Sequence, residues 1–297
     1  MRLGYACINE SLKGKFRTCR IQTFRTEGEE KIKELTLHNF QLTLDIVKWN
    51  IEHDIFFYRL SSDLVPFGSH DEMKWEWWED SDVRMITDEI KGLQEKYNLR
   101  LSMHPGQYSV LNSPKEQVVS NCIKDLEYHV KILKLIGGSD MILHTGGEYG
   151  NKEEAKKRFI ENYNLLSDDI RYYLRLENDD KIYTVRDVFD IHEKCGIPVC
   201  FDIHHHMCNS FEGDLKQELT NVWKTWEGIE WIPKVHISTG KTSKTDRSHH
   251  DYISEEDFDA LIKLIDKQDV DIMFESKKKD LSVLPFIKKR RERVDLL

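Results

Sequence analysis

Eight short, largely apolar runs recur along the chain, each followed by a stretch with the spacing of an amphipathic helix. The runs are Leu3–Ile8, Ile55–Ser61, Arg100–His104, Met141–Thr145, Tyr172–Glu177, Val199–Ile203, Lys234–Ser238 and Asp271–Glu275. Runs this short, bounded by turn-forming residues, suit buried strands. The helical patterns between them cover Lys31–His53, Ser81–Tyr97, Lys115–Ile136, Lys152–Ile170, Val185–Cys195, Asp214–Thr225 and Glu255–Gln268. A last helical piece begins near Leu281 and is complicated by Pro285. Thr184 before Val185-Arg186-Asp187 and Ser254 before Glu255-Glu256-Asp257 are helix-start signals. Strand–helix alternation repeated eight times predicts an α/β fold, a single (β/α)8 TIM barrel over residues 1–297. A doubly wound open sheet is the alternative.

In such a barrel the site lies at the C-terminal mouth of the strands. The third run ends in His104, the fourth in His144, the fifth in Glu177, the seventh at His236 and the eighth in Glu275. The sixth continues as VCFDIHHHMC, which supplies Asp202 and His205. Residues at i and i+3 point to opposite faces of a regular strand. Asp202 and His205 therefore converge only if the strand ends near Ile203 and the chain turns over; His204 and His206 then take flanking places. His70 follows strand two, and His249 or His250 follows strand seven. A lone histidine at a strand end is usually a satisfied polar residue, but ligand-type residues on six consecutive strand ends are not a random placement. His38, His53, His129 and His192 fall within helical stretches and are assigned no role.

Composition adjusts this picture little. The chain is 39% hydrophobic and 33% charged. No apolar run approaches the roughly 20 residues of a membrane span. Six scattered cysteines with no CxxC suit reduced thiols in a cytoplasmic protein, with no membrane role and no obligate protein partner evident. The net charge of −9 argues against a nucleic-acid partner only superficially. Two or three divalent cations in an acidic cluster would offset about four to six charges. Nine imidazole and carboxylate candidates with no thiolate suit Mn²⁺, Zn²⁺ or Fe²⁺ and exceed the needs of one zinc. Such a centre suits in-line phosphoryl displacement, with Glu177 and Asp202 placed to bridge metals. Lys234 shares interior parity with His236, so it must pair with a carboxylate, be neutral, or be converted to an anionic ligand. Arg175, in register with Glu177, likewise needs a buried partner.

Basic residues gather in three loops that would surround the mouth: Lys13, Lys15, Arg17, Arg20 and Arg25; Lys241, Lys244 and Arg247; and Lys277, Lys278 and Lys279. They form a phosphate-binding rim despite the acidic total. Lys288 to Arg291 reads as a solvated helix end. His104-Pro105-Gly106-Gln107-Tyr108 places an amide and an aromatic at the mouth, where they can fill a gap in a base stack. Trp75, Trp77 and Trp78 read as a loop-packing anchor.

Taken in order, Ser61-Ser62-Asp63-Leu64-Val65-Pro66 with His70, then HPGQY, LEND, FDIHHH, KVHIS and FESKKKD resemble the UV damage endonucleases. These are similar in fold to endonuclease IV and xylose isomerase. The resemblance runs almost end to end. It implies a manganese-favouring DNA repair enzyme that nicks double-stranded DNA immediately 5′ to cyclobutane pyrimidine dimers and 6–4 photoproducts, and at some abasic sites. The products would be a 3′-hydroxyl and a 5′-phosphate. By position, the resemblance implies metal ligands at His70, His104, His144, Glu177, Asp202, His205, His236, His249 and Glu275. It implies catalytic roles for Glu177, Lys234 and His236, with Lys234 a candidate modified lysine. Gln107 and Tyr108 would probe the duplex, and Tyr5 and Asn9 would lie close to the damaged nucleotides. The adjacent His250 leaves the His249 assignment open.

Competing readings are a metal-dependent sugar isomerase or epimerase, which gives the basic loops and HPGQY no task, and a non-catalytic damaged-DNA sensor. An amidohydrolase would require His-x-His on strand one, and Gly4-Tyr5-Ala6-Cys7-Ile8 has none.

Overall fold

The computed structural model describes the backbone of residues 1–294 and side chains as far as Arg290. The expected boundary at residue 297 and the Arg291 side chain therefore lie outside the described residues. Eight parallel strands close into a barrel in chain order. They are β1 (Leu3–Ala6), β2 (Phe57–Arg59), β3 (Arg100–Met103), β4 (Asp140–His144), β5 (Leu174–Glu177), β6 (Val199–Asp202), β7 (Lys234–Ile237) and β8 (Asp271–Phe274). β1 pairs with both β2 and β8, so the sheet has no edges and the open-sheet alternative is excluded. The helices are α1 (Ile21–Glu52), α2 (Ser81–Tyr97), α3 (Glu116–Ile136), α4 (Lys152–Asn164), α5 (Asp168–Tyr173), α6 (Val185–Cys195), α7 (Ile203–Cys208), α8 (Leu215–Lys224), α9 (Glu255–Ile265) and α10 (Lys279–Val294).

Local chemistry accounts for the boundaries. Thr184 and Asp187 form a capping box on α6, and Ser254 caps α9 by accepting from the Asp257 amide. Two helices depart from expectation. α1 begins at Ile21 instead of Lys31, with Gly28 (φ 73°) interrupting it, so Arg25 sits on a helix and pairs with Glu72. The expected helix Lys152–Ile170 is two, because the Ser167 hydroxyl accepts from the Ile170 amide and starts α5 afresh. α10 runs through Pro285, which has no N–H to offer the preceding turn.

The main hydrophobic core lies between strands and helices, with Leu101, Leu143, Leu176, Phe201, Val235 and Phe274 facing outward from the barrel. The alternate strand positions fill the interior in levels. Nearest the strand starts lie Arg100, Asp140, Lys234 and Asp271, all fully buried. Arg100 bridges Asp140 at 2.9 Å and Asp271 at 3.0 Å, and Lys234 donates to Asp140. Ala6, Phe57 and Met273 make a small apolar cluster of their own inside the barrel. Only glycine fits at position 4, where a Cβ would lie 2.4 Å from the Phe57 carbonyl oxygen. The strand ends carry the third level.

Candidate metal centre

Glu177, the last residue of β5, is the hub of that third level. Its Oε1 lies 2.7 Å from His236 Nδ1, and its Oε2 lies 3.3 Å from His104 Nε2 and 3.5 Å from His144 Nε2. Strand register builds part of this, aligning His144 with Glu177 and Asp202 with His236. Three donor groups share Glu177: with His104 and His144, with His236 and Glu275, and with Asp202 and His205. Seven of the nine expected ligands are thus brought together.

Asp202 closes β6 and caps α7, its Oδ1 accepting from the His205 amide at 2.7 Å. The chain turns over as the spacing requires, one residue earlier than Ile203 and directly into a helix. His205 returns to within 3.9 Å of Asp202 Oδ2. His204 instead contacts the Asp246 carbonyl and His206 packs on Phe201 and Phe211, so both are flanking.

The donors fit divalent cations. His104 Nδ1 and His205 Nδ1 each lie 2.9 Å from a backbone carbonyl, of Pro105 and Asn178. Donation to those carbonyls fixes both tautomers and leaves each Nε2 lone pair free for a metal. Asp202 Oδ2 is buried without a hydrogen-bond partner. Among the described residues, three carboxylates, those of Glu177, Asp202 and Glu275, meet one permanently charged cation, Arg59 of β2, which pairs with Glu275.

The electrostatics follow from that imbalance. Burial alone would raise the Glu177 carboxyl, but His236, His144 and His104 hold it well below the ordinary range. Burial likewise acts against Glu275, yet Arg59 and His236 keep it low. His144 is pushed down to about 4 by burial, against the pull of Glu177. His205 is also disfavoured as a cation by burial, but Asp202, Glu177 and Glu275 raise it to about 9.

Other expected residues are placed differently. His70 is exposed and its Nδ1 accepts from the Glu72 amide; His249 lies 3.4 Å from Ser238 Oγ and edge-on to His204. Both ride on loops outside the three donor groups, whereas strand ends are fixed by sheet register. His250 is exposed and turned toward Tyr252. Lys234 occupies the level beneath the donors, paired with Asp140; burial lowers its pKa and Asp140 opposes this. Arg175 finds the Tyr172 and Leu174 carbonyls and the Trp226 ring in place of a carboxylate in contact. Tyr5 and Asn9 are buried: Tyr5 donates to Asn50 at 2.7 Å and accepts from Asn9 at 2.8 Å, so neither offers a free face to nucleotides. Gln107 and Tyr108 stand exposed, Tyr108 by 85%. Trp77 is fully buried, and Lys131 caps the Trp78 ring, as expected of an anchor.

Two residues escaped the sequence reading. Arg59 was signalled only as a charge ending a buried strand. Asn178, within LEND, exchanges two 2.9 Å hydrogen bonds with the Asp202 backbone and ties the ends of β5 and β6 together. Beside them, a cleft of about 750 Å³ opens between the ends of β1 and β2, lined by Cys7, Asn9, Lys13, Lys15, Ser61 and Asp63 among others.

Comparison with known proteins agrees with this architecture. The family model described as UV-endonuclease UvdE matches residues 1–295. A UV DNA damage endonuclease of Bacillus thuringiensis subsp. konkukian (strain 97-27) is 40% identical over 268 residues, covering 89% of this chain and 84% of that protein. The crystal structure of SacUVDE superposes with a TM-score of 0.89 at 35% identity, covering 98% of each chain. The 3-keto-D-glucoside 4-epimerase of E. coli aligns over 98% of each chain with a TM-score of 0.60 but 13% identity, a likeness of fold alone.

Proposed function

The chain belongs to the UV-endonuclease UvdE family, and from that premise we propose that it nicks ultraviolet-damaged duplex DNA immediately 5′ to cyclobutane pyrimidine dimers and 6–4 photoproducts, and at some abasic sites. The products are a 3′-hydroxyl and a 5′-phosphate. The observation that carries this reading is the convergence of six further imidazole and carboxylate donors on Glu177 at the barrel mouth. His104, His144, Glu177, Asp202, His205, His236 and Glu275 would hold two or three divalent ions; mixed nitrogen and oxygen donors lacking thiolate suit Mn²⁺, Zn²⁺ or Fe²⁺, and the family resemblance points to Mn²⁺. His70 and His249 would join only if their loops move inward when DNA or metal binds. Bound there, divalent ions lower the pKa of water and stabilise charge on phosphate oxygens.

The protein's own groups do the rest. Glu177 belongs to all three donor groups, so one carboxylate sets their spacing. His236, fully buried, holds Glu177 through its Nδ1 at 2.7 Å, and Arg59 limits repulsion between Glu177 and Glu275. Lys234 acts from the level below, where it fixes Asp140 under the donor ring. Exposed Lys13, Lys15, Arg17, Arg20, Lys241, Lys244, Arg247 and Lys277 grip the backbone of a bent duplex. Lesions unstack at lower energetic cost than intact steps, which favours their entry into the mouth. Gln107 and Tyr108 occupy the space vacated in the stack. Asn9 lines the cleft, accepting from the Leu12 amide at 2.8 Å, and Tyr5 holds it from behind by accepting from its side-chain amide.

A plasmid assay tests this. With Mn²⁺, the purified protein should nick UV-irradiated supercoiled DNA and leave unirradiated DNA largely intact. Glu177→Ala should lower nicking by at least about 10²-fold. Absence of UV-dependent nicking overturns the proposal, and binding of damaged DNA without nicking would favour the sensor.

A further inference from the structure

One face of α3 holds both ends of the turn that carries Gln107 and Tyr108. Asp125 and His129 stand at i and i+4 on that helix, so their side chains are neighbours. At the far end of the turn, the Ser109 hydroxyl donates to the Asp125 carboxylate, and the Ser109 amide closes the turn on the Gly106 carbonyl at 2.9 Å. At the near end, Ser62 Oγ lies 2.9 Å from the His104 carbonyl and 3.0 Å from His129 Nε2. Both are acceptors, so the single Ser62 hydroxyl proton serves one of them at a time. His129 Nδ1 in turn lies 2.6 Å from the Asp125 carbonyl, and Tyr128 donates to the Ser62 carbonyl at 2.8 Å.

Behind the turn lies a cavity of about 470 Å³, lined by Ser62, Gly106, Tyr108, Asp125 and His129 among others. Packing therefore does not seat the turn from behind; hydrogen bonds to α3 do. His129 is 1% exposed. A buried imidazole is not what close packing of a helix calls for, since an apolar side chain would fill the space without needing polar partners.

We propose that Asp125 is a positioning residue that, through Ser109, sets where Gln107 and Tyr108 stand relative to the donor His104. Recognition of distorted DNA then depends on a helix that touches neither DNA nor metal. The proposal rests on the endonuclease reading above and on Gln107 and Tyr108 as duplex probes.

The test compares Asp125→Ala, Ser109→Ala, Ser109→Thr and Tyr108→Ala, with Asp125→Ala/Tyr108→Ala as a double variant. Each is assayed with Mn²⁺ on a UV-irradiated duplex and the same unirradiated duplex, with thermal melting as a folding control. Asp125→Ala and Ser109→Ala should raise KM on damaged duplex about tenfold with kcat little changed. Ser109→Thr, which keeps the hydroxyl, should restore it. In the Tyr108→Ala background, Asp125→Ala should add nothing further. Additive effects, or a fall in kcat alone, overturn the clamp while leaving the endonuclease reading intact. An inert Tyr108→Ala removes the probe role and the clamp with it. A wild type that fails to nick irradiated DNA instead removes the endonuclease reading.

Discussion

Arg59 shows what a single side chain decides at this site. Among the described residues it is the one permanent cation paired with the donor carboxylates, through Glu275. Replacing it by methionine leaves Glu275 buried beside Glu177 with only the His236 imidazole, 3.2 Å away and shared with Glu177, as its counter-charge, a change expected to destabilise the metal-free protein by about 3 kcal/mol. Divalent ions bound to the same carboxylates should recover part of that loss, because a ligand that binds only the folded state stabilises it. Melting of Arg59→Met with chelator and with Mn²⁺ checks this. The Mn²⁺-induced rise should exceed that of the wild type, and an equal rise would mean Arg59 does not offset the cluster. At this scale the donors were legible in the sequence because six strand ends each carry an imidazole or carboxylate. Arg59 was not, since an arginine ending a buried run does not reveal which carboxylate it meets across the barrel.

Among the elements, α7 is where the turn-over required by the spacing of Asp202 and His205 takes place, as a helix that the spacing did not foretell. Asp202 has two separable tasks: Oδ1 caps α7, and Oδ2 is left for a cation. Asparagine caps a helix about as well as aspartate. Asp202→Asn should therefore keep α7 capped and lose only the stability that the carboxylate's charge lends to protonated His205, while weakening Mn²⁺ binding at least tenfold, on the order of a lost ligand interaction. Melting and metal titration on one sample measure both. Loss of stability beyond that share, in parallel with metal binding, would show the two tasks to be inseparable. Other boundaries were less legible: Gly28 concealed the first turns of α1, and Ser167-Asp168-Asp169 started a helix inside what reads as a continuous amphipathic stretch.

The whole molecule balances buried titratable groups of opposite tendency, which sets its pH response. His205 is raised from 6.5 to about 9, so without metal its stabilisation is complete below pH 6.5 and lost as pH rises toward 9. That arm is worth on the order of 3 kcal/mol. His144 is lowered to about 4, so its contribution is present above pH 6.5 and lost as pH falls toward 4. The melting temperature of chelated protein should accordingly peak near pH 6.5 and decline on both sides. With Mn²⁺ the alkaline decline should shrink, because the ion takes the place of the His205 proton. Calorimetry across pH 4–9 measures it, and an alkaline arm unchanged by Mn²⁺ would place His205 outside the metal site.

Taken by itself, the sequence was enough for the barrel, the level of the candidate site and seven donor-type residues that meet there, because strand period and the residue that ends each strand are local properties that repeat along the chain. Only the tertiary structure decided the rest. It put His70 and His249 on loops outside the donor groups, buried Tyr5 and Asn9, and paired Lys234 with Asp140 beneath the donors. It also turned His129 from an unassigned helix residue into a hydrogen-bond partner of Ser62, 67 positions away. The physical reason is one of reach. Loop placement and buried charge pairing depend on contacts between distant segments, and no spacing along the chain encodes those.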